Sequence, residues 1–283
     1  MTESLPLLCS AGAFTRDPSH TDHRAILRFG PELQVDGIEL IFYPDWYAVV
    51  DRVLVDLQQA GLSFPVVHAE KSIGPAFATN DRAEREAALD HLAVNCRFAR
   101  LLGAHLVVLH LWGLPDGDAR IERNLAMLSA CYDIAADHAV DLAIETIPCD
   151  DADPLTHIHR AIEMEHRCLV ALDTEFLAHH RQLAEALTVQ WLWTGSRVRH
   201  IHIKDYDGVM WTPQDGRRYL HPGDGCIDFH SFFATLRTRR FEGAISLEAT
   251  SLDQNGHVNT IQLQQSVALI RHMIARTAQS SDT

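Results

Sequence analysis

Eight short runs of apolar or alternating residues recur along the chain, separated by longer stretches with helical spacing. The runs are LLCSAG at 7–12, DGIELIF at 36–42, PVVHA at 65–69, HLVVLHLWG at 105–113, DLAIETIP at 141–148, CLVALDT at 168–174, VRHIHIKD at 198–205 and AISLEAT at 244–250. Their length and richness in Val, Ile and Leu predict β-strands. Between them lie helix candidates. DWYAVVDRVLVDLQQAG at 45–61 closes on Gly61, and 81–104 places acidic residues early, arginines late and Gly103 near its end, the order expected of a helix start and stop. Two more run over 120–140 and 257–276.

Strands that each precede a helix predict an α/β protein, either a (β/α)8 barrel or a doubly wound open sheet. The length of 283 residues suits a barrel of roughly 250 residues with one long insertion. No GxGxxG or P-loop pattern follows the first strand, as many nucleotide-binding open sheets would have. No Pro/Gly/Ser-rich linker and no shift of composition divides the chain. The expectation is a single (β/α)8 TIM barrel over 1–276, with the polar tail 277–283 disordered.

Within the strands the polar residues are not scattered. In RHIHIKD, His200, His202 and Lys204 share one side at period two, and Ile201 and Ile203 the other. A surface strand would turn its polar side to water, but a barrel strand is buried on both faces and carries active-site groups at its inward carboxyl end. Read as ends of this kind, strand 2 finishes in Glu39, strand 3 in His68, strand 4 in His110, strand 5 in Glu145, strand 6 in Asp173, strand 7 in His202 and strand 8 in Glu248. Small residues precede several of them at period two: Ala143, Ala171, and Ser246 with Ala244. A single such His is ordinarily a structural hydrogen-bonding group, and a single Asp or Glu a helix cap. Seven at the same place in successive units call for a shared cavity. Several carboxylates buried together cost several kcal/mol each unless a positive charge offsets them. Glu145, Asp173, His202 and Glu248 supply three carboxylates and one imidazole, a set that suits one divalent metal ion, Mn²⁺ first, with Mg²⁺, Co²⁺ and Zn²⁺ as alternatives.

Loops after the strands add Phe42, Tyr43, Trp46, Trp112, Tyr206 and Trp211, aromatics that could wall a sugar pocket or simply pad the loops. The segment after strand 7, DYDGVMWTPQDGRRYLHPGDG, is long for a compact domain. It offers Arg217, Arg218 and His221 as candidates for holding hydroxyl, carboxylate or phosphate groups.

Composition narrows the partners. A formal net charge of −14, with no basic run beyond Arg217-Arg218 and Arg239-Arg240, argues against nucleic acid held through phosphates. Six scattered cysteines without a CxxC pair read as reduced thiols. The first residues lack a basic segment before their short apolar run, and no apolar run approaches the roughly 20 residues of a membrane span. A cytoplasmic protein is expected, acting on a small polyhydroxylated carbonyl compound, with a homo-oligomer left open.

The same residues resemble the xylose-isomerase-like TIM-barrel superfamily, which includes sugar isomerases, ketose 3-epimerases, hydroxypyruvate isomerase, inosose dehydratase and endonuclease IV. The resemblance spans nearly the whole chain. Its most specific segments are HIHIKD at 200–205 and HPGDGCIDFHSFFATLRTRRFEGAISLE at 221–248, with IETIP at 144–148 and LDT at 172–174. It implies that Glu145, Asp173, His202 and Glu248 bind one divalent metal and that His68 and His110 line the same pocket. One departure is plain: many members carry a histidine three residues after the strand 6 aspartate, where this chain has Phe176.

The reading that follows is a metal-dependent sugar isomerase or epimerase. Glu145 and Glu248 act as base and acid at the carbon beside a carbonyl, and Glu39, His68, His110, Trp112, Lys204 and Arg217 bind substrate. The alternatives are an inosose-type dehydratase using the same site, a multi-zinc phosphodiesterase of the endonuclease IV kind acting on abasic DNA, and a metal- or sugar-binding barrel without turnover.

Overall fold

The alternating runs become strands, each shorter than the run that contains it. The computed structural model describes residues 5–15, 23–114, 116–213, 216–253 and 255–279. Its strands are β1 (Leu7–Ser10), β2 (Gly37–Ile41), β3 (Val66–His68), β4 (Leu106–Leu109), β5 (Asp141–Glu145), β6 (Leu169–Asp173), β7 (Val198–Ile203) and β10 (Ala244–Leu247). They form one closed barrel in the order β1-β10-β7-β6-β5-β4-β3-β2, and the pairings are parallel. This is the expected (β/α)8 barrel. The short strands β8 (Trp211–Thr212) and β9 (Gly216–Arg217) pair antiparallel as a separate two-stranded sheet within the segment after β7.

Register fixes which side chains share a face. Ser246 pairs with His202 and Ala244 with His200, while Glu145 pairs with Ala171 and Ala143 with Leu169. Parallel partners point the same way, so the polar set and its small companions lie on one face of the sheet. Ile144, Val170, Ile201, Ile203 and Ile245 lie on the other, all fully buried. This double burial explains why the strands read as almost continuous apolar runs.

Helix boundaries follow their chemistry. Helix Arg82–Leu102 starts where the Asp81 carboxylate accepts the Ala83 N–H at 2.9 Å and stops at Gly103, which has a φ of 92°, a conformation that favours glycine. The last helix, Thr260–Gln279, continues past 276; residues 280–283 of the expected tail lie outside the described residues. Glycine is demanded sterically at 74, where an added Cβ would lie 1.9 Å from the His110 carbonyl oxygen. The six cysteines are free, and four are buried. Burial pushes the Cys96 thiol up to about 12, which leaves it unreactive at neutral pH.

The chain divides into two compact units, one of Ile38–Leu172 and one of Met1–Gly37 with Asp173–Thr283. Among the described residues no helix is long and apolar enough to cross a membrane.

Candidate active site

In the unit that holds the C-terminal half, β6 ends on Asp173, whose Oδ1 accepts the Phe176 N–H at 2.9 Å and so starts the short helix Thr174–His179. His202 lies on β7, Lys204 just beyond its end, and Glu248 just beyond β10. Lys204 binds these strand ends together. Its Nζ donates to Glu248 Oε2 at 2.6 Å and lies 2.5 Å from Asp173 Oδ2, while His202 Nδ1 is 3.7 Å from the same Glu248 oxygen. None of the four is more than 2% exposed. The backbone of Lys204 is locked as well: its N–H donates to Thr174 Oγ1 at 3.0 Å, and that hydroxyl donates to the Lys204 carbonyl at 2.6 Å. Charges buried to this degree persist only where each has a close partner.

The neighbouring layer revises the expectation for the arginines. Arg217 forms a two-pronged ion pair with Glu175, a buried carboxylate on the first turn after Asp173, and its guanidinium lies 4.4 Å from the centroid of the Tyr219 ring. Arg218 pairs with Asp207 at 2.9 Å. His221 is buried against Ser266 Oγ (2.7 Å), Ser251 Oγ (3.0 Å) and the Thr250 carbonyl (3.2 Å). Expected to hold a ligand's polar or anionic groups, these three side chains are instead engaged within the protein, and Glu175 balances the Arg217 charge. Phe176 lies between two cations, its ring centroid 4.3 Å from Lys204 Nζ and 5.8 Å from Arg217 Cζ.

In the unit 38–172, the strand ends converge on Glu145. His68 Nε2 lies 3.0 Å and His110 Nε2 2.7 Å from the same oxygen, Glu145 Oε2. His68 Nδ1 faces the Ala69 carbonyl at 2.8 Å and must donate to it, because a carbonyl only accepts. Its Nε2 can then meet the carboxylate oxygen only if a proton lies between them. Burial pushes the His110 imidazole down to about 4, so at neutral pH it is uncharged and serves Glu145 as an N–H donor. His68, His110 and Glu145 also form a group that could hold a metal ion.

Two expected substrate residues are placed differently. Glu39 is the third residue of β2 rather than its end; Ile41, which pairs with His68, occupies that place. Glu39 therefore lies deeper on the inward face and is fully buried. Trp112 is fully buried too, its indole N–H donating to the Pro148 carbonyl at 3.1 Å and its ring edge-on to His157. It braces the loop after β5 instead of lining a rim. Of the other loop aromatics, Phe42 and Trp46 pack with Phe98 in the core, while Trp211 is 60% exposed.

Sequence reasoning did not select Glu175, Thr174 or Asp118. Asp118 accepts N–H groups from Asp150, Asp151 and Ala152 and binds His157 Nε2 at 2.6 Å, which clamps the loop after β5. Glu175 and Thr174 follow Asp173 directly, and an acidic residue in a first helical turn carries no signal beyond the ordinary preference for that place.

The family model described as a xylose isomerase-like TIM barrel matches residues 28–273. The chain belongs to the xylose isomerase-like TIM barrels. Solved structures of similar fold include a D-allulose 3-epimerase from Methylomonas sp., with a TM-score of 0.73 at 17% identity over 96% of this chain and 98% of that one. An L-ribulose 3-epimerase matches at a TM-score of 0.73 and 17% identity over 98% and 97% of the two chains. A 3-keto-D-glucoside 4-epimerase from E. coli matches at 0.69 and 18% over 95% and 99%. At such identities the likeness is one of fold. No curated protein sequence matches the chain.

Proposed function

We propose that this xylose isomerase-like barrel is a metal-dependent isomerase or epimerase of a small sugar. The observation that carries the reading is the burial of His68, Glu145, Asp173, His202, Lys204 and Glu248, each at most 2% exposed, at or just past the carboxyl ends of their strands. In a (β/α)8 enzyme that is where the reaction takes place. The three epimerases of like fold support the substrate class.

Glu145, Asp173, His202 and Glu248, from strands consecutive in the barrel order, form a donor set that could hold a metal ion. Three carboxylate donors and one imidazole suit a divalent ion of the Mn²⁺ or Mg²⁺ kind. The charges agree. Asp173, Glu175 and Glu248 are three carboxylates ion-paired with two permanent cations, Lys204 and Arg217, a balance that favours an added cation. When bound, the ion would polarise the substrate's carbonyl oxygen and so acidify the adjacent C–H.

The side chains would do the rest. Glu145 and Glu248, reaching the substrate from different strands, would remove and return the proton at the carbon beside the carbonyl. His110, uncharged and donating to Glu145 Oε2, would orient that carboxylate, and its 15% exposure leaves it able to reach a substrate hydroxyl. Two working carboxylates would give epimerisation and one would give 1,2-isomerisation, or dehydration where a leaving hydroxyl sits on the next carbon.

The test is solvent deuterium incorporation into a panel of ketopentoses and ketohexoses by protein loaded with Mn²⁺, with metal content measured by native mass spectrometry. One ion per chain is expected, with exchange lost in Glu145→Gln and Glu248→Gln. Loaded protein that exchanges no ketose, or variants that exchange as fast as wild type, would refute the reading. Two or three zinc ions per chain would instead favour the phosphodiesterase reading, for which the His68, His110 and Glu145 group speaks.

A further inference from the structure

Only two lysines occur among the 283 residues, Lys71 and Lys204, against 22 arginines. Arginine is the prevailing cation of this protein, so an ammonium at the buried position 204 points to a particular requirement. An ammonium is a compact point charge on a flexible stem, whereas a guanidinium is a planar fork committed to the partners it fits. The neighbouring Arg217, held in two places by Glu175, shows the second behaviour.

We propose that Lys204 is a resident counter-ion that a divalent metal displaces: it holds Asp173 and Glu248 together before loading, then shifts onto the face of Phe176, where it is free to meet a substrate oxygen. The proposal rests on the metal-dependent reading above.

The oxygens carry the argument. Asp173 Oδ1 is committed to the Phe176 N–H at 2.9 Å, which leaves Oδ2 as the oxygen turned toward a metal. Lys204 Nζ lies 2.5 Å from that atom and 2.6 Å from Glu248 Oε2. A divalent ion on the same pair of oxygens and an ammonium at hydrogen-bonding distance from both would repel one another strongly at such separations. Metal binding by Asp173 and Glu248 is therefore an exchange of one cation for another.

The structure also supplies a place for the displaced charge. Nζ is already 4.3 Å from the centroid of the Phe176 ring and 3.9 Å from Glu175 Oε2, so a change in the last torsions of the side chain moves it off the two ligands without exposing it. An aromatic face attracts a desolvated cation. This gives a reason for phenylalanine at 176: an imidazole there could itself bind the metal or take a proton and repel the ammonium. Arg217 neutralises most of Glu175, which keeps that carboxylate from trapping Lys204 permanently.

The test compares wild type, Lys204→Met, Phe176→Leu and the double variant by calorimetric titration with Mn²⁺ and by melting in chelator and in saturating Mn²⁺. Lys204→Met is expected to bind Mn²⁺ more tightly by roughly tenfold or more. It should melt at least about 6 °C lower than wild type in chelator and no lower once loaded. Phe176→Leu should weaken Mn²⁺ binding when Lys204 is present and leave it unchanged beside Lys204→Met. Equal or weaker Mn²⁺ binding by Lys204→Met would overturn the proposal, as would a Phe176→Leu effect that persists without the lysine. Should the variants fail to fold, wild type labelled with ¹⁵N-lysine gives only two ammonium signals. The Lys204 signal must move on titration with diamagnetic Mg²⁺, and one that stays fixed while Mg²⁺ saturates overturns the exchange. Protein that takes up no divalent ion would defeat the functional reading itself, whereas uptake without the lysine dependence defeats only this inference.

Discussion

Asp205→Asn tests whether the segment that follows Lys204 is built around one buried charge. Asp205 is 1% exposed, and its carboxylate accepts four backbone N–H groups. Oδ1 takes Tyr206 at 2.8 Å and Ile227 at 3.0 Å, and Oδ2 takes Gly223 at 2.9 Å and Gly225 at 3.0 Å. The two ends of the 21-residue insertion singled out in the sequence are thereby tied to one side chain. Asparagine has the same shape but only one acceptor oxygen, so its NH₂ must face two N–H donors. Leaving two buried donors unpaired costs about 1–3 kcal/mol each, and the surviving pair loses the benefit of a charged acceptor. The expected loss is about 3–5 kcal/mol, which at roughly 2 °C per kcal/mol for a chain of this size lowers the melting temperature by about 6–10 °C. Thermal melts give the total, and amide hydrogen exchange locates it: Gly223, Gly225 and Ile227 should lose protection before the barrel strands do. A melting temperature within about 2 °C of wild type, with those amides still protected, would refute the reasoning.

Two further outcomes follow from the same geometry. Gly74→Ala puts a methyl group where the His110 carbonyl oxygen lies 1.9 Å away; because backbone must move, a loss of about 3 kcal/mol or more is expected, read by urea denaturation, together with a changed His110 ring signal in NMR. Burial lowers the pKa of His221, whose ring is held by Ser266, Ser251 and the Thr250 carbonyl and faces the charge of Asp224. The unfolded chain therefore takes up this proton first, and stability is lost as pH falls below about 6.5. A His221→Gln variant should show a shallower fall in melting temperature between pH 7 and pH 5 than wild type, and an identical slope would exclude the contribution.

Periodicity carries the barrel because both of its faces are apolar for most of their length, so the strands stand out as runs and the few polar inward residues stand out within them. His68, His110, Glu145, Asp173, His202 and Glu248 stand out as candidates in that way: each interrupts an apolar run, and Glu145, Asp173 and Glu248 do so at the phase of small neighbours. Glu39 has the same phase but sits one step too deep, because where a strand stops pairing depends on its neighbours and not on its own pattern. Trp112 misled as a rim aromatic since nothing in HLWG distinguishes an indole that faces solvent from one that donates to Pro148. The arginine pair misled for a similar reason. A sequence shows a charge and leaves its partner unseen, and the partner of Arg217 is Glu175, 42 positions away. That pairing changes what the site can recognise. With Arg217 and Arg218 both bound to carboxylates, neither offers its charge to a phosphate, and Lys204 would meet a substrate oxygen only once displaced from Asp173 and Glu248 as proposed above. On the proposed function, a substrate held by such a site would be bound through hydroxyl and carbonyl oxygens, and a neutral ketose should exchange deuterium faster than its phosphate ester.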